Sequence, residues 1–277
     1  MNNKRTWIVL GGTCVIGHAF AREVAKAGND VILLGKDDDD LVLSANDIKA
    51  RYPNVEVTTL PLDTSNLDSL TKTAGKCEDA AKNIISVFSA LETAYTQKEC
   101  GKDLGKIKNM FQINYFSQVY FLSAMASVLQ KQACGEIIVL GSVAGEYGMP
   151  DNYAFGSTKA ALHVWLQGFQ AQMAQSHVSV TTVKADDWDT VGTRRYSFWQ
   201  KPLNPQACAQ ACLEYAQKGA KIRYFPWYTS LTVLSRRFLP NANGLSIKDV
   251  FKCLKKNVLL MPPFCELMMI LPLKSLF

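Results

Sequence analysis

The sequence contains few residues that could hold a metal ion. It has only three histidines, and its eight cysteines form no CxxC pair. The cysteines at positions 208 and 212 have no matching cysteine or histidine cluster elsewhere in the chain. Because structural zinc sites combine such spacings, we expect no metal site. We interpret the cysteines as reduced thiols, most of them buried.

Long uninterrupted apolar runs are also absent. The N-terminus has only about five apolar residues before its first glycines, which is too few for a signal peptide or a membrane span. The apolar segment near the C-terminus is interrupted by Pro262, Pro263 and Pro272. A spanning helix needs about 20 apolar residues, so we expect none and predict a cytoplasmic protein.

The composition is that of a folded chain, and its positive charge is concentrated near the C-terminus. Hydrophobic residues make up 48% of the 277 residues and charged residues 19%, which is typical of a folded domain with a sizeable core. The formal net charge is +6. Residues 221–277 contain nine lysines and arginines against Asp249 and Glu266. The basic excess therefore belongs to the C-terminal fifth.

Strand-like and helix-like segments alternate between residues 6 and 225. The expected strands are 7–10, 30–34, 55–62, 84–89, 136–140, 178–183 and 220–225, and long helices are expected over 106–132 and 153–175. Strict alternation predicts an α/β fold, a doubly wound parallel sheet of about seven strands with helices on both faces. We expect a first domain at 1–225 and a basic, apolar C-terminal extension at 226–277.

The first strand leads into a glycine-rich turn and then an amphipathic helix. The turn reads GGTCVIG, from Gly11 to Gly17. A strand, a glycine turn and a helix within thirty residues are typical of the opening of a dinucleotide-binding unit, in which helix N-terminal amides face a pyrophosphate. A purely structural turn is the alternative.

A second segment carries candidate catalytic residues. Ser142 follows the fifth strand, and Lys159 lies one helical turn beyond Phe155, on the same side of the helix. This segment resembles the active site of the short-chain dehydrogenase/reductase family, which has a serine, a tyrosine thirteen residues later and a lysine four further on. The spacing fits, but Phe155 occupies the tyrosine position.

The resemblance, which covers roughly the first 240 residues, implies a Rossmann-type fold and specific site residues. The catalytic positions would be Ser142, Lys159, Asn114 and Phe155 in place of tyrosine, with Asn114 helping to hold a water linked to the lysine. The resemblance implies that the cofactor is bound by Gly11, Gly12, Thr13, Ile16, Gly17, Lys36, Asp63, Lys159 and Thr190. The sequence departs from the family at Val15 in the turn, at the fourth strand, which lacks an asparagine pair, and at Ala185-Asp186, where the family has Pro-Gly.

The resemblance also bears on the choice of cofactor. In the family, an acidic residue at the end of the second strand favours NAD, whereas a basic residue just after it favours the 2′-phosphate of NADP. Gly35 and Lys36 occupy this region, which favours NADP with NAD possible. Four aspartates follow, and we interpret them as charges that suit the start of the next helix.

Within the family, the sequence most resembles the subgroup that contains the decaprenylphosphoryl-ribose epimerisation keto-reductase. The strings GSVAGE and GSTKAAL, from Gly141 and Gly156, carry this likeness. The resemblance implies an apolar or lipid-linked substrate. The basic, aromatic residues 221–277 fit a peripheral anchor on anionic lipid at the inner face of the membrane. Packing on a partner in a homo-oligomer, or over the substrate pocket, is an equal alternative.

Two functions follow from these observations. The first is an NADP-dependent oxidoreductase that transfers hydride to or from a keto or hydroxy group and is weakened by Phe155, which cannot exchange a proton. Tyr153 could supply the missing hydroxyl only if the helix began after it and the chain there bent back. The second is a catalytically inactive dinucleotide-binding sensor or interaction protein. The basic tail contains no recognisable nucleic-acid-binding module, so no nucleic-acid partner is expected.

Overall fold

The computed structural model describes residues 4–186 and 203–238. The chain divides into two compact units, Met1–Thr229 and Ser230–Phe277. The first contains the whole sheet. Of the second, the described part is most of one helix.

Seven parallel strands form a single sheet in the order β3-β2-β1-β4-β5-β6-β7. Their bounds are β1 Arg5–Leu10, β2 Asp30–Gly35, β3 Val57–Pro61, β4 Ile84–Ser89, β5 Glu136–Ser142, β6 Ser179–Ala185 and β7 Ile222–Phe225. The predicted doubly wound parallel sheet is therefore confirmed. The strand order reverses between β1 and β4, and ligands of such sheets bind at the carboxyl ends of the strands beside this point.

Helices cover both faces of the sheet. Their bounds are α1 Val15–Lys26, α2 Asp38–Arg51, α3 Leu67–Ala80, α4 Gln97–Lys102, α5 Gly105–Phe111, α6 Gln118–Gln132, α7 Tyr153–Ala174, α8 Pro205–Gln217 and α9 Thr229–Phe238. One core cluster joins α1, α2 and α8 to one face, and a second joins α3, α6 and α7 to the other. Along β1, Trp7 and Val9 enter the first cluster while Ile8 and Leu10 enter the second, which is the period-2 alternation of a strand buried on both faces.

The helix predicted over 106–132 is not a continuous α-helix. A π-helical turn, Gln112–Ser117, separates α5 from α6. The prediction failed because a π turn leaves no clear mark on hydrophobic periodicity, and such turns frequently lie at functional sites. Several strand ends also differ from expectation by about two residues. β1 begins earlier, at Arg5, and β3 and β7 begin later, at Val57 and Ile222, while β5 and β6 continue further, to Ser142 and Ala185.

The four aspartates after β2 act as helix-start charges, as predicted. The Asp37 side chain caps α2 by accepting hydrogen bonds from the backbone N–H groups of Asp39 and Asp40 at 3.0 and 3.1 Å. The other carboxylates, including Asp38, lie in the first turn of the helix, where the helix dipole favours negative charge.

Among the helices in the described residues, none is both long and apolar enough to cross a membrane. Within the same stretches, no three His, Cys, Asp or Glu side chains converge as metal ligands would. The described cysteines, at positions 14, 77, 100, 134, 208 and 212, are free thiols.

Candidate active site

The glycine turn joins β1 to α1 at the reversal point of the sheet. Gly11 adopts a left-handed conformation, with φ of +77°. A Cβ added to Gly17 would lie 2.1 Å from the carbonyl oxygen of Gly11, so only glycine fits there. Cys14 caps α1, and its Sγ accepts a hydrogen bond from Gly17 N–H at 3.3 Å. The turn therefore holds the N-terminus of α1 in one fixed geometry.

The residues between these glycines have different surroundings. Val15 is the first residue of α1 and is 73% exposed, so its side chain projects into solvent instead of filling the turn. Ile16 points the other way, into the core beneath α1. Thr13 lies beside the end of β2, where its Cγ2 would be 3.2 Å from a Cβ at Gly35.

A cavity of about 460 Å³ opens at the carboxyl ends of β2 and β3. Its lining residues are Lys36, Asp63, Thr64, Ser65, Gly105, Lys108, Asn109, Gln112 and Ile113. The structure thus brings together two predicted cofactor-binding residues, Lys36 and Asp63. Hydrogen bonds from Ser65, and more weakly the charge of Lys36, lower the pKa of Asp63. The cavity therefore presents a carboxylate beside two lysine side chains.

The predicted catalytic residues come from β5 and α7. Ser142 ends β5, and its Oγ accepts a hydrogen bond from Ala144 N–H at 3.1 Å. The helix comes close to this turn because Gly156 has no side chain: a Cβ there would lie 2.5 Å from the Ala144 carbonyl oxygen. Lys159 is fully buried, and its Nζ lies 5.5 Å from the centre of the Phe155 ring.

Phe155 is 8% exposed and packs in a small cluster with Ala144, Ala154, Cys100 and Met110. Its ring therefore lies between the turn after Ser142 and helices α4 and α5, where it can contribute apolar contact but no proton. Tyr153 does not replace it. Helix α7 begins at Tyr153, not after it, and the Tyr153 side chain is exposed, so the condition for substitution is not met.

Asn114 lies in the π-helical turn and is fully buried. Its Oδ1 accepts a hydrogen bond from Thr93 N–H at 2.7 Å, and its Nδ2 donates to Thr93 O at 2.9 Å and to Thr158 Oγ1 at 3.1 Å. Asn114 therefore ties the loop after β4 to the residue preceding Lys159. The water-holding role that the resemblance implies stays a prediction.

Sequence reasoning missed Glu92, which lies in the loop after β4. Its Oε2 is 2.5 Å from Lys159 Nζ, and its side chain is 27% exposed. The pair brings together two residues that are far apart in the chain, so no local spacing indicated it. The only signal was an acidic residue shortly after the end of a central parallel strand, where ligand-binding residues gather.

A buried polar cluster behind Ser142 was also missed. His163 Nε2 accepts a hydrogen bond from Ser142 N–H at 3.4 Å, and His163 Nδ1 lies 3.5 Å from Glu146 Oε1. The same carboxylate pairs with Lys184 and accepts a hydrogen bond from Tyr224 OH at 3.3 Å. These contacts fix the backbone at the end of β5, and with it the position of Ser142.

Burial and charge set the protonation states of this cluster. Burial lowers the pKa of His163, in keeping with an Nε2 that accepts a hydrogen bond. Burial alone would raise the pKa of Glu146, but His163 and Lys184 beside it lower the value to about 2. The cluster is thus a neutral imidazole beside a carboxylate–ammonium pair.

Ala185 and Asp186, where the sequence departs from the family's Pro-Gly, lie at the end of β6. Ala185 is buried as the last residue of the strand, and Asp186 N–H donates to Phe225 O at 2.9 Å. The pair that replaces the family's Pro-Gly therefore continues the sheet contact with β7. Thr190, the last predicted cofactor-binding residue, lies outside the described residues.

Comparisons with known proteins agree with this architecture. A family model described as short chain dehydrogenase matches residues 5–200. An uncharacterized oxidoreductase of Staphylococcus epidermidis is 28% identical over 211 residues, which cover 75% of this chain and 89% of that protein. An uncharacterized oxidoreductase of Staphylococcus aureus is 25% identical over 207 residues, covering 74% and 88%.

Two solved structures show the same fold. A short chain dehydrogenase/reductase from Burkholderia phymatum in complex with NAD matches with a TM-score of 0.75 and 16% identity, over 88% of this chain and 99% of that one. An alcohol dehydrogenase from Thermococcus sibiricus complexed with 5-hydroxy-NADP matches with a TM-score of 0.68 and 21% identity, over 80% and 94%.

Proposed function

The chain belongs to the short-chain dehydrogenases, and on that premise we propose that it is a nicotinamide-nucleotide-dependent oxidoreductase acting on a keto or hydroxy group. The observation that carries this proposal is that Ser142 ends β5 at the carboxyl edge of the sheet, and that the helix carrying the buried Lys159 packs closely on the turn after Ser142 through Gly156. Catalysis at such an edge needs a bound nucleotide, a group that orients the substrate oxygen and a group that exchanges its proton.

The residues present fit a dinucleotide. The close approach of Gly17 to Gly11 leaves the N-terminus of α1 open to a pyrophosphate, and exposed Val15 does not fill the turn. Asp63 and Lys36 would hold the adenosine end in the cavity they line, and Lys159 the ribose next to the nicotinamide. When bound, the nucleotide supplies or accepts a hydride. Ser142 would orient the substrate oxygen.

NADP is the proposed cofactor. Lys36 follows β2 and lines the cavity, and Lys108 of α5 lines it as well. Two ammonium groups at one cavity favour a phosphate ester over a free hydroxyl, because charge-assisted hydrogen bonds are about twice as strong as neutral ones. The Thermococcus sibiricus relative, in complex with 5-hydroxy-NADP, supports this choice. The Burkholderia phymatum relative, in complex with NAD, keeps NAD as the competing cofactor.

An apolar or lipid-linked substrate is the proposed substrate class. Trp227 and Tyr228, which follow β7, are exposed, and so are Leu231 and Leu234 of α9. Exposed aromatic and aliphatic side chains next to a strongly basic sequence are typical of contact with an anionic lipid surface. Such contact would bring the chain to substrates held in that surface. The division of the chain into a first domain at 1–225 and a C-terminal extension at 226–277 is part of the same proposal.

A second candidate function is a catalytically inactive nucleotide-binding module. Phe155, which occupies the position of the family tyrosine, favours it, since a general acid typically contributes about 10²–10⁴-fold to rate. The experiment that separates the two functions is an NADPH titration by nicotinamide fluorescence, followed by NADPH oxidation with a panel of aliphatic and aromatic ketones. Binding with turnover supports the oxidoreductase, and binding without turnover supports the inactive module. An absence of binding contradicts both.

A further inference from the structure

The Lys159 ammonium is paired with a carboxylate that the known site residues do not include. Lys159 is fully buried, and Glu92 Oε2 lies 2.5 Å from its Nζ. A buried ammonium without an opposite charge is strongly destabilising, so the Glu92 carboxylate compensates the charge of Lys159. The Glu92 carboxyl differs from its partner in being 27% exposed, and it can therefore exchange protons with a bound molecule or with solvent.

The fold places Glu92 at the same edge as Ser142. In the sheet, Ser89 of β4 is paired with Val139 of β5. Glu92 follows Ser89 by three residues, and Ser142 follows Val139 by three. β4 ends at Ser89 and β5 continues to Ser142, and as parallel neighbours the two strands run towards the same edge of the sheet. The loop after β4 and the end of the adjacent strand β5 therefore place Glu92 and Ser142 at the same edge of the sheet.

The loop that carries Glu92 is held on both sides. Asn114 makes two hydrogen bonds to the backbone of Thr93, the next residue, and a third to Thr158, which precedes Lys159. One buried amide thus fixes the carboxylate and the ammonium relative to each other. Such support by neighbouring hydrogen bonds is what a catalytic constellation requires and a casual surface ion pair lacks.

We propose that Glu92 is the proton-transfer residue of this site, in place of the phenol absent at Phe155. This inference rests on the proposed oxidoreductase function. During oxidation of a secondary alcohol, the O–H bond breaks and its proton passes to the Glu92 carboxylate. The carbinol C–H bond breaks at the same time, and its electron pair leaves as hydride to the oxidised nicotinamide nucleotide, which leaves a ketone. Reduction runs the same transfers in reverse.

Three parts of the site take defined roles in this scheme. Lys159 holds the carboxylate in place, Ser142 orients the substrate oxygen, and Phe155 provides an apolar wall. The alternative is that Glu92 only neutralises Lys159. In that case its removal should weaken nucleotide binding as much as turnover.

The test compares Glu92→Gln, Phe155→Tyr and the double variant with wild type. The measurements are thermal unfolding, NADPH affinity by fluorescence, and NADPH oxidation with the ketone panel. We expect Glu92→Gln to lower turnover by about 10²-fold or more while NADPH affinity changes less than about threefold. Phe155→Tyr should restore turnover in the Glu92→Gln background, because it returns a proton donor beside Lys159.

The matched control is Glu56→Gln, which removes another glutamate paired with a lysine, Lys82 at 2.9 Å. Glu56 and Lys82 precede β3 and β4, at the opposite end of the strands from Glu92. This control variant should leave turnover unchanged. A loss of stability is expected in either case, because Glu92→Gln leaves the buried Lys159 unpaired. Wild-type turnover that survives Glu92→Gln would overturn the inference, and so would parallel losses of NADPH affinity and turnover. The inference would also be overturned if the wild type bound NADPH without turnover and the Phe155→Tyr single variant were active. That result would mean that proton transfer in this site needs a tyrosine at position 155, as in the family. Failure to bind NADPH would instead reject the proposed function.

Discussion

Gly17 approaches the carbonyl oxygen of Gly11 so closely that a Cβ at Gly17 would lie 2.1 Å from that atom. Gly17→Ala should therefore push α1 away from the turn. We expect a loss of about 1–3 kcal/mol in the free energy of unfolding, as for other overpacked sites, and NADPH binding weakened by more than about tenfold. Urea denaturation and NADPH fluorescence measure the two effects.

The control for this substitution is Gly75→Ala in α3, where a Cβ would meet nothing within 4 Å. Alanine has the higher helix propensity, so this variant should gain about 0.5–1 kcal/mol and bind NADPH normally. Equal behaviour of the two alanine variants would mean that the turn can relax, contrary to the geometry.

Lys36 should determine the choice between NADPH and NADH. Because it lines the cavity with Asp63 and Lys108, Lys36→Ala should weaken NADPH binding by about tenfold and leave NADH binding nearly unchanged. Paired fluorescence titrations provide the measurement. Lys131→Ala, which removes an exposed lysine from the last turn of α6, is the control. Equal affinities of the wild type for the two nucleotides would remove Lys36 from this role.

Acid should destabilise the protein through the cluster behind Ser142. The folded-state pKa of Glu146 is about 2, below its ordinary 4.5, so the stability that it contributes is complete above about pH 5 and is lost as the pH falls towards 2. The pKa of His163 is also lowered, from an ordinary 6.5, mainly by burial. Protonation of the imidazole is thus disfavoured in the folded state, and stability falls in the same direction below about pH 6.5.

Glu146→Gln should flatten this dependence between pH 5 and 3. By linkage its contribution is at most about 3 kcal/mol, and the loss at pH 7 should be of that order. Guanidinium denaturation at a series of pH values gives both quantities. Glu78→Gln, at an exposed position of α3, should leave the curve unchanged. An unaltered slope in Glu146→Gln would show that other groups carry the acid sensitivity.

Contact with lipid should depend on charge and on the exposed aromatic residues after β7. The full chain should co-sediment with vesicles containing anionic lipid, and raised salt should weaken the association because it screens the basic residues. Trp227→Ala should reduce binding, whereas Leu43→Ala, at an exposed position of α2, should not. Salt-insensitive behaviour without vesicle binding would favour packing of the C-terminal residues on a partner chain.

The strands and the glycine turn could be predicted because their signals are local. Apolar β-branched runs and glycines lie close together in the sequence, and the spacing of Ser142 and Lys159 fits a known pattern. The ion pair of Glu92 with Lys159 and the cluster of His163 with Glu146 could not be predicted. Each depends on which loops the sheet order brings together, and that order is a property of the whole chain. The π-helical turn was missed for the opposite reason, since it alters the hydrophobic pattern by too little.

The order of strands also bears on the time course of folding. β1 pairs with β2 on one edge and with β4 on the other, where Arg5 meets Ile84. During synthesis, β1, β2 and β3 are complete well before β4, and until then the second edge of β1 is open. Unpaired edges invite association with other chains, and pairings between distant residues form slowly. We therefore expect the nascent chain to be most prone to aggregation before Ile84–Ser89 has emerged from the ribosome.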